Sequence, residues 1–184
     1  MKPVLREEIV DYETYGENRD PFRQKIMAVK AVRRIHVGDH LTFLFENHDT
    51  ILYQIQEIMR TERIVRETDI LHEITTYNEL LAGRGALGCT LLIEIETEAE
   101  RNMRLKEWLP LPKHLYLRLE NGQKIRADYD PRQVGDSRLS SVQYLQFDTG
   151  GQVPVAIGTD FDKLFLEVEL SAEQKAALGR DLSD

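Results

Sequence analysis

Two charged residues stand where helical periodicity calls for apolar ones, and they constrain the fold more than any other feature of this chain. At about 100° per residue, a helix over residues 50–66 aligns Ile51, Leu52, Ile55, Ile58, Met59 and Val65 on one stripe, with Glu62 near its centre. A preceding helix, predicted from Pro21 to about Arg34, aligns Phe22, Ile26 and Val29, and the next position on that stripe is Arg33. Asp20 reads as its cap and Pro21 as its first residue, where the missing N–H costs nothing. A carboxylate on an apolar stripe needs a partner. The sequence therefore predicts an Arg33–Glu62 pair between two packed helices.

At 184 residues the chain is long enough for one well-buried core and short for two, so a single domain over residues 1–184 is expected. Thirty-two acidic against twenty-four basic residues give a net charge of −8, which repels phosphate backbones and argues against general nucleic-acid binding. Locally, Lys25, Lys30, Arg33 and Arg34 make a basic segment that leaves room for a small anion site. The single cysteine, Cys89, excludes an internal disulfide and a thiolate metal cage and suits a reducing compartment. The N-terminus has no apolar run of signal-peptide length, and no stretch approaches the roughly 20 apolar residues that cross a bilayer. A cytoplasmic protein without a membrane segment is expected.

Val37-Gly38-Asp39-His40 predicts a turn, and Leu41–Glu46 a strand with Leu41, Phe43 and Phe45 on one face. Asn47 to Thr50 supply caps for the helix over 50–66, and Thr68-Asp69 begins another with a stripe of Ile70, Leu71, Ile74, Tyr77 and Leu81. Beyond Gly83-Arg84-Gly85, residues 89–96 read as a strand with Leu91, Ile93 and Ile95 inward, and Thr97 with Glu100 has the spacing of a capping box. In the hairpin over 115–129, a two-residue Asn121-Gly122 loop would put charged residues opposite Leu117 and Leu119. A three-residue loop with Gly122 left-handed instead pairs Leu117 with Ile125 and Leu115 with Ala127, and is preferred. Strands are predicted at about 142–147, 153–157 and 164–170, with Ser171 and Gln174 capping a closing helix. Residues 130–140 read as the most mobile loop. The class is α+β, with a helical N-terminal half packed on a mainly antiparallel sheet formed largely by the C-terminal half.

Chemistry is less legible. His36 and His40 flank the predicted turn, and with His48, Glu46 or Glu62 they offer nitrogen and oxygen ligands to a divalent metal. No His-Glu-x-x-His or Glu-x-x-His spacing supports them, and the plainer reading makes them surface residues. In a catalytic reading, Glu57 or Glu62 acts as base or ligand and Arg33 and Arg34 bind an anion. Tyr53, Gln56, Glu57 and Arg60, with Gln54 at the margin, form a polar helix face that suits a partner surface as well as it suits solvent. There is no P-loop, no Gly-x-Gly-x-x-Gly after a strand and no Gly-x-Ser-x-Gly elbow.

The run Tyr53-Gln54-Ile55-Gln56-Glu57-Ile58-Met59-Arg60, with Phe22, Lys30, Arg33-Arg34, Gly38, Phe45-Glu46 and Glu62-Arg63-Ile64, resembles an uncharacterised bacterial family of unknown function. The resemblance continues through Leu91-Leu92-Ile93-Glu94 and Val142–Phe147 to Ala156-Ile157-Gly158. Such proteins are typically encoded near rubrerythrin-like and heterodisulfide-reductase-related iron–sulfur proteins. The resemblance carries no catalytic residues. It implies a non-enzymatic accessory protein whose partner is an iron–sulfur oxidoreductase or a rubrerythrin-like protein, with no cofactor required by the sequence. The alternatives are a small-molecule or metal-dependent enzyme and a homodimer whose main property is assembly.

Overall fold

The computed structural model describes residues 1–184. Its first long helix, α1 (Tyr12–Ala31), begins nine residues before Pro21, because Asp11 caps it, its carboxylate accepting from the N–H groups of Glu13 and Thr14. Pro21 thus lies inside the helix rather than at its start. It removes the donor for the Glu17 carbonyl, and both residues face solvent, where water can take that carbonyl. The hairpin of β1 (Arg34–Val37) and β2 (Leu41–Glu46) turns at Gly38, whose φ of 63° favours glycine. Next come α2 (His48–Glu62), capped reciprocally by Asn47 and Thr50, and α3 (Glu67–Asn78).

The remaining elements are β3 (Ala86–Ile93), α4 (Glu98–Glu107), β4 (Leu115–Arg118), β5 (Lys124–Arg126), β6 (Val142–Asp148), β7 (Ala156–Phe161), β8 (Leu164–Glu169) and α5 (Ala172–Ser183). The class is α+β as predicted, with the strands divided between two antiparallel sheets of order β1-β2-β3-β6 and β5-β4-β7-β8. Helices dominate the first half, yet three of its segments supply strands of the first sheet. The three-residue loop holds: Leu117 faces Ile125, Ala127 N–H donates to Leu115, and Gly122 has φ 84°. The strand predicted over 153–157 lies at 156–161 instead, since Pro154 has no N–H for a ladder and the strand starts beyond it. Residues 130–140 are not free along their length: Leu139 is buried, and its N–H donates to Leu105.

Alternation decides what the sheets bury. Phe43 and Phe45 of β2, Leu91 of β3, Phe147 of β6, Leu117 of β4 and Ile157 of β7 meet in one apolar core, joined by Trp108 and by Leu178 and Leu182 of α5. Each fully buried side chain of this kind contributes about 1.5–3 kcal/mol. A smaller core forms where α2 and α3 pack with the N-terminal segment, through Ile51, Ile55, Met59, Ile70, Ile74, Val4 and Ile9. At Gly88 the chain after α3 comes so near β3 that an added Cβ would lie 2.0 Å from the Leu80 carbonyl oxygen. No helix is long and apolar enough to cross a membrane.

Candidate functional site

The outer face of β2 carries Thr42, Leu44 and Glu46, and all three are buried, so this strand is covered on both sides. Glu46 is 1% exposed and accepts from Thr50 Oγ1 (2.6 Å), Gln54 Nε2 (3.0 Å) and Thr90 Oγ1 (2.9 Å). A buried carboxylate is tolerated when donors fill its lone pairs, and these three neutral donors do so without an ion pair. Lys30, at the end of α1, feels the Glu46 charge, and its amine stands 5.0 Å from the centre of the Tyr53 ring. Partial burial lowers the Lys30 pKa, and the neighbouring Arg34 lowers it further against the pull of Glu46.

One turn along, Glu57 accepts from Tyr15 Oη (2.6 Å) and, in a two-pronged contact, from Arg19 (2.7 and 2.8 Å). The Arg19 guanidinium, with help from the Tyr15 hydroxyl, holds the Glu57 carboxyl below its ordinary range. Burial and the Glu57 carboxylate together push the ionisation of the Tyr15 phenol well up. Gln56 is 3% exposed and clamps the N-terminal segment, accepting from Val10 N–H (2.9 Å) and donating to Val10 C=O (3.1 Å). Tyr53 is also buried, its ring 6.2 Å from that of Phe22.

The predicted polar face of α2 is therefore an interior seam over most of its width. α1 and residues 4–10 cover it, and the mixture of amide, phenol and carboxylate that suggested a surface serves to hold these segments together. Of the residues singled out there, Arg60 remains exposed, while Gln54 and Glu57 are half-buried and hydrogen-bonded within the chain.

The Arg33–Glu62 pair does not form. Arg33 joins Asp181 of α5 through two bonds of 2.8 Å and donates to the Val29 carbonyl (2.9 Å), with side-chain exposures of 6% for Arg33 and 4% for Asp181. Glu62 has the angular position of the buried stripe but is the last residue of α2, and the chain leaves the helix at Arg63 with φ 53°. Met59 in that last turn is still buried in the smaller core, but Glu62 at its very end is exposed, as is Val65 beyond it. The catalytic reading that joined Arg33 to Glu62 loses its geometry. Arg34 is exposed on β1, beside the seam.

His36 and His40 are both tied to Glu94. Thr42 Oγ1 donates to the Glu94 carboxylate and lies within hydrogen-bond distance of His36 Nδ1 (2.9 Å), while His40 Nδ1 lies 3.1 Å from the Glu94 carbonyl. His48 reaches Glu8 (3.1 Å), and His114 lies 3.3 Å from Asp160 beside Arg126 and Lys124. No three His, Cys, Asp or Glu side chains converge in a metal-binding arrangement, so His36, His40 and Glu62 are not brought together. Cys89 packs in the main core, where burial raises its thiol pKa.

What the sequence does not reveal is the contrast within the basic segment. Residues 21–38 carry Arg23, Lys25, Lys30, Arg33 and Arg34 and no carboxylate. Asp181 neutralises Arg33, whereas Arg23, Lys25, Lys30 and Arg34 have no carboxylate in contact. The model of a protein family described as a protein of unknown function (DUF3501) matches residues 3–182. The chain belongs to this family. No curated protein matches. A crystal structure at 1.90 Å of a novel protein of unknown function from Burkholderia pseudomallei K96243 is similar, with 27% sequence identity and a TM-score of 0.90. The match covers 98% of this chain and 100% of that one. The overall fold thus recurs in a second, solved protein.

Proposed function

We propose that this protein is a non-enzymatic accessory factor that binds an acidic partner, and that the partner belongs to an iron–sulfur or rubrerythrin-type redox system. One observation carries the binding half. A chain of net charge −8 keeps residues 21–38 free of carboxylates and leaves Arg23, Lys25, Lys30 and Arg34 without ion-pair partners. Arg23, Lys25 and Arg34 are exposed, and with the partly buried Lys30 they give an acidic protein a local field that steers an acidic surface towards α1 and β1. Exposed Met27, on the same stretch of α1, adds an adaptable apolar contact. The redox half rests on the genomic company that the family resemblance implies.

The test mixes the purified chain with a rubrerythrin-like protein and, separately, an iron–sulfur oxidoreductase and measures association by calorimetry at low and high salt. Saturable binding that weakens steeply with salt and is lost in Arg23→Glu/Lys25→Glu/Arg34→Glu is the expected result. Undiminished binding by that variant rejects the surface. Failure of the wild-type chain to bind either protein rejects the redox assignment.

A further inference from the structure

Lys30 differs in its surroundings from most lysines of this chain. Lys2, Lys124 and Lys163 are held in ion pairs, and Lys25, Lys106 and Lys113 stand in solvent. Lys30, in the last turn of α1, is partly buried and touches no carboxylate. Glu46, whose charge it feels, has both carboxylate oxygens occupied, Oε2 accepting from Thr50 and Oε1 from Gln54 and Thr90. The nearby Val29 carbonyl is taken by Arg33. The Tyr53 ring, its centre 5.0 Å from the amine, attracts the charge and positions the nitrogen but supplies no strong acceptor.

Partial withdrawal from water penalises the charged form of this amine, and the Arg34 guanidinium repels it. Glu46 and Glu57 pull the other way without bonding to it, and burial outweighs them. A lysine that is desolvated and stands beside another cation has its amine activated as a nucleophile. Arg34 has a second consequence. It is exposed at the start of β1 with no carboxylate in contact, so its planar fork is free to receive a phosphoryl group. The end of α1 and the start of β1 thus join a nucleophilic nitrogen to a seat for an anionic leaving group.

We propose that Lys30 is a site of acylation by small acyl phosphates, with Arg34 receiving the phosphate. The Lys30 ammonium gives up a proton to water, and the nitrogen lone pair forms a bond to the acyl carbon. The bond from that carbon to the phosphate oxygen breaks, and inorganic phosphate leaves with the electron pair. Nothing is oxidised or reduced. The product is a neutral amide, which costs less to keep partly buried against Tyr53 than an ammonium does and removes one charge from the basic face of α1 and β1. Only the effect of that lost charge on an acidic partner rests on the reading above, and the reactivity of the amine stands without it.

The experiment exposes the intact chain to acetyl phosphate at neutral pH and follows the acetylated fraction of each lysine over time by peptide mass spectrometry. Lys30 should be acetylated faster than Lys25, which is exposed on the same helix. Arg34→Gln should slow the reaction at Lys30 about fivefold, the scale of one exposed charge contact, and leave Lys25 unchanged. Acetic anhydride, which carries no phosphate, gives the reference. The preference for Lys30 over Lys25 should be larger with acetyl phosphate than with the anhydride, and Arg34→Gln should remove that difference. Arg34 is exposed, so the variant should keep the native circular dichroism spectrum. The proposal is overturned if Lys30 reacts no faster than Lys25, if Arg34→Gln leaves its rate unchanged, or if the anhydride shows the same preference as acetyl phosphate. These rates need no partner protein, so their failure and the failure of the partner reading are separate results.

Discussion

Removing Asp181 tests the central correction that the structure makes to the sequence. Its carboxylate meets the Arg33 guanidinium through two bonds of 2.8 Å, Asn47 Nδ2 approaches it at 3.4 Å, and both charged side chains are more than nine-tenths buried. Asp181→Ala leaves a buried guanidinium with only the Val29 carbonyl beside it, a loss of about 3–5 kcal/mol. For a chain of this size, each kcal/mol moves Tm by about 2–4 °C, so a fall of roughly 6–20 °C is expected. Glu62→Ala, exposed at the end of α2, should change stability by no more than about 0.5 kcal/mol. The double replacement Arg33→Met/Asp181→Leu should recover most of the loss, because an apolar pair of similar volume removes the desolvation penalty along with the attraction. Urea unfolding of the four proteins, comparing midpoints at constant slope, decides the matter. A cost below about 1 kcal/mol for Asp181→Ala, the scale of a surface pair, refutes the argument. So does a double variant no more stable than the single one.

Two further outcomes follow from the same physics. The folded-state pKa of Glu57 is depressed below its ordinary 4.5, chiefly by Arg19 and then by Tyr15, so its contribution is present above about pH 4.5 and is lost as pH falls through the folded value. Urea midpoints should therefore drop more steeply on acidification in the wild type than in Glu57→Gln, and parallel profiles would contradict this. Gly88→Ala places a methyl against the Leu80 carbonyl, a backbone atom that cannot swing aside, and should cost about 1–3 kcal/mol or more by thermal melting. A neutral Gly88→Ala would mean that the chain after α3 does not sit on β3 as described.

Local chemistry was legible wherever one short segment holds all the information. The cap of α5 by Ser171 and Gln174, the cap of α4 by Thr97 and the inward Leu41, Phe43 and Phe45 depend on neighbours a few residues away. The 119–123 loop was readable for the same reason, since one register alone puts Leu117 opposite an apolar residue. The start of α1 was misread because Pro21 is a strong local signal for a helix N-terminus, and the competing Asp11 cap stands upstream of a polar stretch without a clear apolar stripe.

Partner choice is another matter. Periodicity identified Arg33 as a buried cation needing a carboxylate, but its partner is 148 residues away, in a helix whose docking depends on how the two sheets close. Glu62, nearer in sequence and correct in angle, is left in solvent because α2 ends beneath it. The polar residues of α2 became a largely buried seam once α1 and the segment around Val10 covered Tyr53 and Gln56. By itself, the amino-acid order determined most of the helices, strands and turns and the apolar faces of the strands, because these arise from short-range hydrogen bonding and from the periods of 3.6 and 2. The tertiary structure alone decided which charges are neutralised and which stand free, because burial and electrostatic pairing depend on distances through space, and those exist only after the chain has closed on itself.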